Sequence, residues 1–131
     1  HNAKKAYLSI GFDQSLSKKD LSHDDLDGIH PSDKSIFEKA YNQILSKDDD
    51  KLFLYVFTAA GHSPYALNKK NRPRLSDDLY FDRITYTEQE LKEFFSSFDD
   101  FRFVKGKIIY NDPKVEAYEN GELIEPNSDS N

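Results

Sequence analysis

Residues 52–58, LFLYVFT, carry no charge and are apolar on both alternating sets, with Leu52, Leu54 and Val56 on one and Phe53, Tyr55 and Phe57 on the other. Aromatic and β-branched residues in such a run predict a strand, extending over 51–60, and one apolar on both faces is normally covered on both. Period-2 alternation recurs in 6–12, Tyr7, Ser9 and Gly11 against Leu8, Ile10 and Phe12, and the stretch 79–86, LYFDRITY, also reads as a strand. A different spacing governs 32–47, where Ile36, Phe37, Ala40, Tyr41, Ile44 and Leu45 share one helical face behind an N-cap at Ser32. Asp48-Asp49-Asp50 is a poor continuation at the negative end of that helix and predicts its stop.

A second helix is predicted from Thr87 to about Asp99. Thr87 and Glu90 have the spacing of a capping box, Tyr86 and Leu91 that of a hydrophobic staple, and Leu91, Phe94, Phe95 and Phe98 form the apolar stripe. Residues 101–110 change apolar face at Gly106, which reads as a bulge or, preferably, a tight hairpin turn. Asn111-Asp112-Pro113 signals a turn, and Asn120-Gly121 a second hairpin pairing Tyr118 with Leu123, Ala117 with Ile124 and Glu119 with Glu122.

The order β-α-β-β-α-β-β predicts an α+β fold. Its antiparallel-dominated sheet would have five to six strands with two helices on one face, in a ferredoxin-like or related arrangement. One domain is expected over 4–125, with 1–3 a cloning remnant and 126–131 a flexible tail.

Apolar residues are only 37% of the chain, but ten Phe and eight Tyr bring in large rings, so a core is expected to be built on them. A formal charge of −6 weighs against general nucleic-acid binding. The absence of Cys excludes disulfides, thiolate metal sites and Cys nucleophiles in this chain. No apolar run approaches the length of a membrane span. The absence of Met is compatible with a removed leader, and favours an extracytoplasmic or cell-surface, bacterial lipoprotein-like location over a cytoplasmic one.

Four stretches carry candidate chemistry. His23, Asp24, Asp25, Asp27 and His30 are metal-type ligands, but alignment of Gly28 with an EF-hand glycine puts Lys34 where a bidentate Glu is needed. No metal or other cofactor is therefore assigned. His62, in Gly61-His62-Ser63-Pro64-Tyr65, suits a general base with Ser63 or Tyr65 nearby and Asp77, Asp78 or Asp82 as orienter. Lys69, Lys70, Arg72 and Arg74 crowd four cations into six residues, flanked by Tyr65 and Tyr80, within the long loop 61–78. They predict contact with an acidic protein or other anionic ligand, or else internal pairing with Asp77, Asp78 or the run 48–50. Phe94, Phe95 and Phe98 read as core at their helical spacing. The leading functional reading is a small binding domain using the 61–78 loop through Tyr65, Lys69, Lys70, Arg72 and Arg74. The alternative is a phosphate- or phosphodiester-directed hydrolase using His62 with the loop cations as anion holders.

Overall fold

The structure, a computed structural model, describes residues 3–47, 51–104, 107–110, 117–119 and 122–124. The predicted helix stop at 48–50, the turn residues 105–106, 111–113 and 120–121, and the tail 126–131 lie outside the described residues. Two units are present, residues 1–87 and 88–131.

The first unit opens with α1, Ala3–Ser9, followed by a 3-10 turn over Lys18–Asp20. The stretch 6–12, read as a strand, is thus the end of a helix and its exit. Seven residues of alternation also fit two helical turns, and the main chain here bonds Ile10 N–H back to Ala6 at 3.2 Å. Gly11 at φ 114° turns the chain out of the helix.

Two-residue strands β1 (Leu26–Asp27) and β2 (His30–Pro31) pair antiparallel around Gly28 and Ile29. Gly28 has φ 65°, the sign that a II′ turn asks of its first central residue. A Cβ at this glycine would lie 2.9 Å from that of Ala66. Gly28→Ala combines a left-handed conformation with a clash, and should cost about 1–3 kcal/mol. A chemical-denaturation midpoint equal to wild type would contradict this.

The helix predicted at 32–47 is present as α2, Asp33–Ser46, with Ser32 Oγ accepting from Ser35 N–H. Its buried residues are Asp33, Ser35, Phe37 and Ala40, while Leu45 is exposed. Of the six residues of the predicted apolar face only Phe37 and Ala40 are buried, and the polar Asp33 and Ser35 take the rest of the buried side.

The central strand predicted over 51–60 is absent: those residues are neither helix nor paired strand, and Phe53 and Phe57 are 78% and 73% exposed. A strand exists only through ladder partners, and among the described residues this run has none. One set of its rings meets the α1 region, Tyr7 against Tyr55 at 6.0 Å and Phe12 against Phe53 at 6.0 Å between centroids.

Residues 79–86, also read as a strand, form the first half of α3, Leu79–Ser96. Asp78 is the N-cap: its Oδ1 accepts from Phe81 N–H at 3.2 Å, and its carbonyl takes the first helical bond, from Asp82, at 3.0 Å. Thr87, predicted as that cap, lies inside the helix, donating to the Arg83 carbonyl and to Asp33 Oδ2. The expected sheet of five to six strands with two helices on one face is therefore overturned. The described strands form three separate antiparallel pairs of two.

In the second unit, β3 (Phe101–Val104) and β4 (Lys107–Tyr110) form a hairpin, with Val104 opposite Lys107. The antiparallel pairing of 101–104 with 107–110 is that of the expected hairpin, not of one re-phased strand. β5 (Ala117–Glu119) and β6 (Glu122–Ile124) pair in the register expected of an Asn-Gly turn. Phe94, Phe95, Phe98 and Phe101 make an edge-to-face cluster with centroids 5.0–6.4 Å apart.

Candidate functional site

The acidic stretch at 25–27 and the basic stretch at 69–74 meet, and each supplies the other's counter-charge. Asp25 and Asp27 are two residues apart on either side of Leu26, at the entry to β1. Arg72 lies between them, only 6% exposed. Its Nη1 donates to Asp25 Oδ2 at 3.0 Å, its Nη2 to Asp25 Oδ1, and its Nε to Asp27 Oδ1 at 2.9 Å. Arg83, buried on α3, donates through Nη1 to Asp27 Oδ2 at 2.5 Å. Two carboxylates and two guanidiniums thus balance, as burial of charge requires.

Neutral donors complete the knot. Asn68 N–H reaches Asp27 Oδ1 at 2.7 Å, and Asn71 Nδ2 reaches Asp25 Oδ1 at 3.2 Å. Ser32 Oγ donates to Asp25 Oδ2 at 2.8 Å. An ionised carboxylate only accepts, so the Ser32 proton is committed there, and Ser35 must be the donor in its 3.0 Å contact with Ser32. Arg72 holds the Asp25 carboxyl well below the usual carboxylate range, against desolvation, with Ser32 and Asn71 adding to its effect. Burial pushes the Arg72 guanidinium down, but its hydrogen bonds to both carboxylates, and their charge, outweigh it and leave the group raised.

A second anchor lies at the start of α3. Asp82 is fully buried and accepts from Ser76 Oγ at 2.6 Å, Arg74 Nε at 2.7 Å and Leu75 N–H at 3.0 Å. Burial pushes this carboxyl up, but the Ser76, Arg74 and backbone hydrogen bonds prevail and hold it at about 2.

Between the two anchors the 61–74 segment presents the remaining predicted residues. Lys69 and Lys70 are exposed, and Tyr65, at φ 57°, stacks edge-on against Tyr80 at 5.0 Å. His62 is exposed, with its Nδ1 2.5 Å from the Ser63 carbonyl. A carbonyl only accepts, so Nδ1 carries a proton and Nε2 is the acceptor of the neutral ring. No carboxylate among the described residues bonds His62; Asp82, one of its predicted orienters, is committed to Ser76 and Arg74. Arg72 and Arg74, grouped with the lysines from sequence, serve here as the ties of the loop, and among the described residues their carboxylate partners are Asp25, Asp27 and Asp82 rather than Asp77 or Asp78; the run 48–50 lies outside the described residues. Two carboxylates of the suspected metal stretch, Asp25 and Asp27, are likewise occupied by arginines. Among the described residues no group of three or more His, Asp or Glu is arranged to hold a metal ion.

Residues 1–101 match the family model described as Sulfatase. The chain belongs to the sulfatase family. No similar curated protein and no similar solved structure was found. The matched span of this sulfatase-family chain contains both anchors and His62. No described helix is long and apolar enough to cross a membrane. Sequence reasoning missed Arg83 and gave Asp82 a different role. A buried arginine inside a pattern read as a strand leaves no mark in the sequence until the helix is known.

Proposed function

We propose that this sulfatase-family chain contributes the oxyanion-recognising part of a hydrolase acting on sulfate or phosphate esters, with His62 as its proton-transferring group. The observation that carries this is the family match over 1–101, a span that includes His62. It favours the hydrolase over a non-enzymatic binding domain. Hydrolysis of such an ester needs a group that takes a proton from water or gives one to the leaving oxygen, and cations that hold the anion.

His62 has the form for the first task. The Ser63 carbonyl fixes its tautomer, as a carboxylate would elsewhere, and leaves Nε2 to accept a proton. Exposed Lys69 and Lys70 suit the second, drawing an anionic substrate toward a body that is otherwise acidic. Arg72 and Arg74 support the segment from below rather than touching the ligand. An acidic protein partner for the same lysines would use the same electrostatics, but it leaves the sulfatase match unexplained.

The test is release of 4-nitrophenol from 4-nitrophenyl sulfate and from bis(4-nitrophenyl) phosphate. His62→Ala should lower kcat/KM by about 10²–10⁴ on whichever ester is turned over. The Lys69→Ala/Lys70→Ala double variant should raise KM, and more at low salt than at high. Turnover of neither ester by wild type would remove this reading.

A further inference from the structure

His30, set aside with the metal-type ligands of 22–30, lies beside His62. Their ring centroids are 5.8 Å apart with planes inclined at 57°, although 31 positions separate them in the chain (62 − 30 − 1). We infer that His30 and His62 together form a two-imidazole seat for a tetrahedral oxyanion, the sulfate or phosphate group of an ester. This rests on the oxyanion-directed reading of His62 and adds a second ligand-contacting residue to it.

The pair is built rather than incidental, because the two segments that carry it are tied at several points. His30 sits opposite Asp27 in the β1–β2 register. Asp27 in turn accepts from the backbone of Asn68 at 2.7 Å, six residues beyond His62. Between those points Gly28 and Ala66 approach so closely that a Cβ on the glycine would not fit. On the His62 side, Tyr65 N–H closes a turn onto the His62 carbonyl at 3.1 Å. A turn, a close approach and a buried salt-bridged carboxylate thus fix both backbones within the same unit.

The chemistry around the rings favours an anion. Of the three carboxylates that precede His30 by a few residues, Asp25 and Asp27 have their charge taken up by Arg72 and Arg83, and Asp24 is exposed. Lys18, from the 3-10 turn, places its ammonium on the carbonyl of Ile29, the residue before His30, at 2.5 Å. No carboxylate among the described residues bonds either imidazole, so neither ring has its hydrogen-bonding capacity consumed by an internal anion. With its Nδ1–H held by the Ser63 carbonyl, His62 can donate from Nε2 once that nitrogen has taken its proton, and His30, on the inclined ring, can direct an N–H to a different oxygen of the same tetrahedral group, a geometry that a single histidine cannot supply.

The experiment follows the imidazole resonances of the ¹⁵N-labelled chain by NMR during separate titrations with sodium sulfate, sodium phosphate and zinc chloride at one fixed pH. The expected result is that His30 and His62 move together with one dissociation constant for an anion, the tighter of the two anions naming the ester class. His30→Ala should weaken that constant by about tenfold, and His30→Gln, which keeps an N–H in reach, by less. If the His62 signals move but His30 stays still in wild type, and His30→Ala binds as wild type does, His62 acts alone. The pair is then refuted while the hydrolase reading stands. If neither ring responds to either anion, the oxyanion reading falls and the pair falls with it. A saturable response to zinc at lower concentration than to either anion, lost in both His→Ala variants, would make the pair a metal site and overturn the inference. The wild-type resonances carry the decision even if a variant fails to fold.

Discussion

Asp27→Ala should move the urea-unfolding midpoint far below that of wild type. The substitution removes the carboxylate that pairs with buried Arg83, at 3% exposure, takes one of the two that pair with Arg72, at 6%, and also strips the Asn68 amide of its acceptor. Removing one side of a buried ion pair costs about 3–5 kcal/mol, since the surviving charge stays in the interior without compensation. A domain of this size has only about 5–15 kcal/mol in hand, so the loss is a large part of the whole. Lys34→Ala makes the contrast. Its 3.3 Å pair with Glu38 is exposed on α2, and pairs of that kind contribute about 0–1 kcal/mol. Urea titrations of both variants followed by far-UV circular dichroism measure the difference. Equal midpoints for Asp27→Ala and wild type would mean that the buried carboxylate does not hold the fold.

Acid should unfold the chain between about pH 4 and pH 2. Asp25 is depressed by Arg72, and Asp82 by Ser76, Arg74 and backbone amides that outweigh its burial and bring it to about 2. In the unfolded chain both carboxyls return to about 3.9. Between the two values the unfolded state binds more protons than the native state, so stability rises with pH. The contribution of these groups is complete above the unfolded value and lost as pH falls through the native one. Urea midpoints measured from about pH 6 downward should therefore be flat and then drop below about pH 4. In an Asp82→Asn variant that still folds, the drop should be shallower. A wild-type midpoint that holds constant down to the native value of Asp82 would contradict the assignment.

What the sequence made legible were the elements governed by local rules. The helix behind Ser32 and both C-terminal hairpins follow from cap chemistry, turn residues and alternation within about ten neighbouring positions. Residues 79–86 misled because Leu79, Phe81 and Thr85 suggest a strand, whereas the residues the fold buries there are Asp82 and Arg83. Thr87 and Glu90 matched a capping box inside a helix already under way, since Asp78 had started it nine residues before Thr87 (87 − 78). The site was half legible: both charged stretches stood out, but their union spans 45 positions between Asp27 and Arg72 and obeys no short-range pattern. A separation of 32 positions (62 − 30) likewise hid the approach of His30 to His62.

The run 52–57 has a consequence for handling the protein. Leu52, Phe53, Leu54, Tyr55 and Phe57 are all turned at least partly to water, in a window that contains neither proline nor charge. Segments of that composition recruit one another into intermolecular ladders and, at high concentration, into cross-β aggregates. What keeps copies apart is charge: the chain carries −6 near neutrality and reaches zero near pH 5.2. Shelf life is thus governed by a different part of the molecule from the one that governs folding. The buried arginines set the temperature at which it melts, and an exposed hydrophobic hexapeptide sets the concentration at which it can be kept.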